Sequence, residues 1–116
     1  MLRLKVLEKD VQRQVLDYLS LRKVWHRRLN SGAALLEAGG NGKPRRFIRY
    51  GAPGLPDILA RTKAGTVIWI EVKSSTGKLS PDQAAWKKDS EAFGDTFITA
   101  RCLEDVRALF EGVKDA

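Results

Sequence analysis

Apolar and polar positions follow two rhythms along the chain. At about 100° per residue, Leu4, Leu7, Val11, Val15 and Tyr18 fall within a stripe about 80° wide, which predicts an amphipathic helix over residues 4–22. Residues 25–29 set Trp25, Arg27 and Leu29 against His26 and Arg28, the two-residue period of a short strand. Residues 30–46 keep no period; with four Gly and one Pro they read as a long glycine-rich loop. Residues 47–50 predict a second strand, 51–56 a turn, and 57–62 a third strand. Lys63-Ala64-Gly65 makes a tight connection into residues 66–73. Val67, Ile68, Trp69, Ile70 and Val72 are apolar on both faces of that last strand, so it belongs in the middle of the sheet.

The next helix has clear start and stop signals. Ser80 suits the N-cap, Pro81 the first helical position, and Asp82 the positive helix end, while Gln83 completes a capping box. The helix runs to about Phe93 and stops at Gly94. Residues 96–100 read as a strand, and residues 103–113 as a helix burying Leu103, Val106, Phe110 and Val113. The predicted order is α, β, β, β, β, α, β, α. The fold class is α/β, one domain over residues 1–116 with a central mixed sheet flanked by helices.

Composition narrows the partners. Lys and Arg number 21 against 14 Asp and Glu, a net charge of +7. From 22 to 49 there are eight basic residues and one acid, Glu37, and the remainder of the chain is neutral. A basic block on a neutral body points to a polyanion, nucleic acid first. A solvated face that keeps the protein dispersed is the other reading. One cysteine, Cys102, and one histidine, His26, exclude a disulfide framework and a Cys/His zinc site within one chain. A Ser-His-Asp or Cys-His centre would have to use His26, which sits in a cationic run. No apolar stretch reaches the length of a membrane span and the N-terminus lacks a signal-peptide core, so a cytoplasmic protein is expected.

Two short segments carry chemistry: Gly54-Leu55-Pro56-Asp57 before one strand and Glu71-Val72-Lys73 at the end of the next. Glu71 and Lys73 share a strand face, and antiparallel pairing brings Asp57 beside Glu71. Two neighbouring carboxylates repel and are costly to desolvate unless a cation lies between them. A hard divalent ion such as Mg²⁺ removes the conflict, and the Val72 main-chain carbonyl offers a further oxygen. The matching chemistry is metal-assisted phosphodiester hydrolysis, with Lys73 orienting or deprotonating water or offsetting charge on phosphorus. A Glu71–Lys73 ion pair at a sheet end, with Asp57 as a turn residue, is the plain alternative.

Pro56-Asp57 followed by Glu71-Val72-Lys73 resembles the PD-(D/E)xK nuclease superfamily. With Glu8, Gly54-Leu55-Pro56-Asp57, Ile70-Glu71-Val72-Lys73 and Gly77-Lys78-Leu79-Ser80-Pro81-Asp82-Gln83, the chain resembles the VRR-NUC domain, the virus-type replication-repair nucleases. Stand-alone members of about this size occur in phages and bacteria. The resemblance spans nearly the whole chain and is most specific over residues 54–86. It implies a restriction-endonuclease-like αβββαβ core and an endonuclease dependent on Mg²⁺ or Mn²⁺. It further implies branched DNA such as four-way (Holliday) junctions as substrate, and a homodimer. Asp57, Glu71 and Lys73 carry over as the catalytic set, with Gln83 facing the site. Glu8 is the weaker transfer; at about 100° on the wheel it borders the apolar stripe, whereas Asp10, at about 300°, points away.

The metal set expected is therefore Asp57, Glu71, the Val72 carbonyl and Glu8. Arg27, Arg28, Lys43, Arg45, Arg46 and Arg49 are expected to contact DNA phosphates, which position the duplex without reading sequence. Trp25, Trp69 and Trp86 read as core or interface before base-stacking platforms. A non-catalytic nucleic-acid-binding module using the basic 22–49 face is the rival reading. A basic RNA-binding protein has no recognition motif in its favour.

Overall fold

The computed structural model describes residues 7–29, 33–36, 46–49 and 52–112. The elements run α1 (Glu8–Leu21), β1 (Trp25–Arg28), β2 (Ala33–Leu36), β3 (Arg46–Arg49), β4 (Ile58–Arg61), β5 (Val67–Val72), α2 (Pro81–Ala92), β6 (Thr96–Ala100) and α3 (Leu103–Glu111). The main sheet has the order β1-β4-β5-β6, antiparallel except for the parallel pair β5–β6. The mixed sheet is as expected, and β5 is interior. Without the second sheet, formed by β2 and β3, the order is αβββαβ followed by α3.

Two expectations need correction. The stretch read as a featureless loop contains β2, which pairs antiparallel with β3, Ala33 opposite Arg49 and Leu36 opposite Arg46. Glycines on both sides of Ala33-Ala34-Leu35-Leu36 hid a strand too short to show a period. The first helix begins at Glu8, not near residue 4. Leu7 is its extended N-cap residue and is 48% exposed, outside the apolar stripe. Leu19 is fully buried, whereas Tyr18 only packs at the edge of the core. Leu4 and Val113 lie outside the described residues.

Local chemistry explains where elements end. Lys23 takes a left-handed φ of 56°, and Val24 N–H returns to the Leu19 carbonyl (3.0 Å), closing α1 before β1. Gly65, with φ 93°, supplies the turn between β4 and β5. Side chains alternate across each strand, so the sheet has two faces. Ile58, Ala60, Ile68, Ile70, Val72 and Ala100 point to one, against Val11, Val15 and Leu19 of α1 and Val106 and Phe110 of α3. That layer is the core. On the other face α2 packs over β6, and Trp86 meets Trp69 edge-on with ring centroids 5.4 Å apart. Trp69 is only partly buried, and its Nε1 donates to Asp95 (3.0 Å). Among the described residues no helix is long and apolar enough to cross a membrane.

Candidate active site

The β4–β5 pairing sets the site. Ile58 lies opposite Ile70, and one further step in that register puts Asp57 across from Glu71. Regular ladder pairing stops there, and side chains take over. Asp57 Oδ2 accepts from the Val72 N–H (2.8 Å), so the carboxylate replaces the next backbone rung. From the opposite side, Leu29 N–H donates to the Asp57 carbonyl (2.7 Å), which fixes the end of β1 beside the same residue.

Glu71 is 3% exposed. Its Oε1 accepts from Gln83 Nε2 (3.1 Å) and lies 3.7 Å from Lys73 Nζ. Its Oε2 is buried and has no hydrogen-bond partner. Burial raises the Glu71 carboxyl from 4.5 to about 8, helped by the charge of Asp57; Lys73 pulls the other way and Glu8 adds a small push. Two neighbouring acids, one strongly disfavoured as an anion, make a site short of positive charge.

The N-terminus of α2 holds Gln83 in place. Ser80 Oγ accepts from Gln83 N–H (3.2 Å), and Gln83 Oε1 accepts from Ser80 N–H (2.9 Å), the capping box anticipated from sequence. Gly54 brings the Asp57 turn to that helix end. Its φ is 79°, and a Cβ there would run into the backbone carbonyl of Asp82. Arg101 Nη2 donates to the Gly77 carbonyl (2.8 Å), which ties the loop after Lys73 to the end of β6.

Asp57, Glu71, Lys73 and Gln83 thus come together, and Val72 lies between them. Glu8, the first residue of α1, is exposed. Its charge reaches Glu71, yet among the described residues no three Asp, Glu, His or Cys side chains converge into a metal-holding group. Glu8 stands near the carboxylate pair rather than in it. Arg27 and Arg28 are exposed on β1, whose last rung is the Asp57 bond. Arg46 and Arg49 lie on β3 in the second sheet, and Lys43 and Arg45 fall outside the described residues. Among the described residues His26 bonds to the Val24 carbonyl (2.7 Å) and Ser20 Oγ (3.4 Å), and no acid among them orients it.

The donor set fits a hard divalent cation. It offers two neighbouring carboxylates, one with an unpartnered oxygen. An extended residue aims N–H and C=O to one side, so the Val72 carbonyl faces the Asp57 side as well. Mg²⁺ is commonly held by one or two carboxylates, with waters and substrate phosphate filling the remaining positions.

The family model for the VRR-NUC domain matches residues 6–113, nearly the whole chain. The chain belongs to the VRR-NUC family. Membership makes it a nuclease, a hydrolase whose partner is DNA. No curated protein and no solved structure matches the chain. In this VRR-NUC domain, sequence reasoning missed Arg61 and the role of Trp25. The Arg61 and Arg27 guanidinium carbons lie 4.3 and 4.7 Å from the Trp25 ring centroid. The only sequence signal was an aromatic residue among basic ones; the contact to Arg61 needs the strand register.

Proposed function

We propose that this VRR-NUC domain is a metal-dependent DNA endonuclease acting as a single domain, with Asp57, Glu71 and Lys73 as its catalytic residues. The observation that supports this reading is the buried, unpartnered Oε2 of Glu71, on a carboxyl that feels the charge of Asp57 and whose Oε1 lies 3.7 Å from Lys73 Nζ. Asp57, Glu71 and the Val72 carbonyl would hold Mg²⁺ or Mn²⁺, with Glu8 reaching through water. The ion supplies Lewis-acid polarisation of the phosphate and an acidified water. Lys73 faces the phosphate and offsets the charge that develops on its oxygens. Gln83 holds Glu71 in one orientation through its amide, so that Oε2 stays free for the cation.

The family resemblance further favours branched DNA such as four-way junctions, and a homodimer that presents two such sites. Arg27, Arg28, Lys43, Arg45, Arg46 and Arg49 would grip backbone phosphates, which favours reading shape over sequence. A reducing cytoplasm suits the single free cysteine, Cys102. A binding module without catalysis needs only the arginines; the close Asp57–Glu71 pair is a cost such a module has no reason to bear.

The test incubates a labelled four-way junction and a plain duplex with the protein and Mg²⁺, with and without excess chelator. Cleavage should require the metal and disappear in Asp57→Ala, while binding survives. Cleavage that persists in chelator, or in Asp57→Ala, sinks the reading.

A further inference from the structure

The sheet face that carries Asp57 and Glu71 also carries a second cluster at its far end. Trp25 pairs directly with Arg61 across β1 and β4, and Arg27 lies two residues along β1 on the same side. Both guanidinium groups stack on the Trp25 ring, and the residue remains 38% exposed. Beside them is a cleft of about 410 Å³ lined by Trp25, Arg61, Thr62, Lys63, Gly65 and Val67. Among the described residues no carboxylate forms an ion pair with Arg27, Arg61 or Lys63. With α2 packed over β6, the β1–β4 half of this face is open among the described residues.

We propose that Trp25, Arg27, Arg61 and Lys63 form a phosphate-binding subsite for the DNA strand that runs from the Asp57–Glu71 end of the sheet. The proposal rests on the nuclease reading for the direction of that strand. Three observations carry it. The charge is of one sign and suits a polyanion. The indole ring orders both arginines before DNA arrives, which lowers the entropy lost when each donates to a phosphate oxygen. Arg61 is four residues from Asp57 on the same strand face, about 13 Å at ~3.3 Å per residue. A duplex advances ~3.4 Å per base pair, so the subsite lies about four base pairs from the carboxylates. Trp25 is a positioning residue: its ring holds the Arg27 and Arg61 guanidinium groups at 4.7 and 4.3 Å from its centroid.

The test has three readouts. Fluorescence anisotropy with a labelled duplex, in Asp57→Asn protein without divalent metal, should show the Arg27→Ala/Arg61→Ala variant binding at least tenfold more weakly. Its salt slope should fall by about 2, since each lost phosphate contact removes ~0.9. Arg13→Ala, a change on exposed α1, should match its parent. Arg27→Lys/Arg61→Lys should fall between, because it retains charge and loses the stacked fork. In protein with Asp57 intact, the double Ala variant should raise KM and leave kcat unchanged. Substrates with fewer than about four base pairs beyond the cut should erase the difference between it and the parent. Double-Ala binding with unchanged affinity and slope overturns the proposal, as does a loss of kcat alone. If no cleavage occurs but the slope still falls, the nuclease reading fails and the subsite stands.

Discussion

The two ends of the β4–β5 hairpin share two strands and one sheet face, but they hold charge by opposite means. At one end Asp57 and Glu71 are held by backbone and amide donors; Val72 N–H and Gln83 Nε2 are their partners, and Glu71 is almost without solvent. At the other, Arg61 and Lys63 are exposed, and Arg61 stacks on a half-open indole. Carboxyl groups are placed where water is scarce, and Glu71 keeps its proton there until a cation takes its place. Positive charge stays in water, where a long side chain keeps its hydration until a phosphate replaces it. The contrast separates rigid placement for chemistry from adaptable contact for binding.

Substitutions can break this comparison from the acidic end first. Glu71→Gln removes a cation-binding carboxylate and retains shape; cleavage in Mg²⁺ should fall by more than about a thousandfold, as for other single groups acting at a transition state. DNA affinity should hold, and a parallel loss of affinity would merge two roles kept apart here. Lys73→Ala should lower kcat by roughly a hundredfold at unchanged KM, measured at saturating substrate. A rise in KM alone would make Lys73 a binding residue, like those of the far end.

Gly54→Ala tests how firmly the acidic end is built. The left-handed φ and the blocked Cβ position should together cost about 2–4 kcal/mol in urea denaturation. The partner glycine at the basic end, Gly65, has a left-handed φ of 93° but open space around it. Gly65→Ala should therefore cost about 1 kcal/mol, from backbone strain alone. Equal effects at the two glycines would mean the close approach to Asp82 contributes nothing.

A pH series sharpens the electrostatic side. Between about 4.5 and about 8 the folded chain holds a proton on Glu71 that the unfolded chain has released. Stability in chelator should therefore fall as pH rises across that window and level off above it. Thermal melts should show a lower Tm at pH 8.5 than at pH 5. Glu71→Gln should flatten the curve, and saturating Mg²⁺ should do the same in the parent protein. An effect as small as that of Gly65→Ala is expected at Ser80. Ser80→Ala should cost about 1 kcal/mol of stability through the lost cap.

Most of the framework was legible because local rules and the fold agree. Ser80-Pro81-Asp82-Gln83 spells its own helix start, and the apolar run 67–70, apolar on both faces, marks an interior strand. Asp57 and Glu71 were legible because a two-residue side-chain period and a short turn determine which residues meet. What escaped depends on distant partners. Ala33-Ala34-Leu35-Leu36 becomes a strand only through pairing with residues 46–49. Trp25 meets Arg61 because of a register 36 residues apart, which no local pattern encodes. Leu7 was expected inside, but the helix starts one residue after it and leaves it at the margin. The position of Glu8 near the pair, but not within it, depends on how α1 crosses the sheet, which a helical wheel does not contain.

The capping box at Gln83 has a consequence for substitution. Its amide oxygen is committed to Ser80 N–H and its nitrogen faces Glu71, so the side chain is polarised by the helix it starts. The amide cannot rotate end for end without leaving the first turn short of an acceptor. Glutamate serves equally well as the third residue of a capping box, yet here it would place a third acid against the pair. The helix is indifferent between the two residues, and the carboxylates are not. Selection on that one position is thus settled by the neighbour across the sheet, even though the residue looks like an ordinary beginning to a helix.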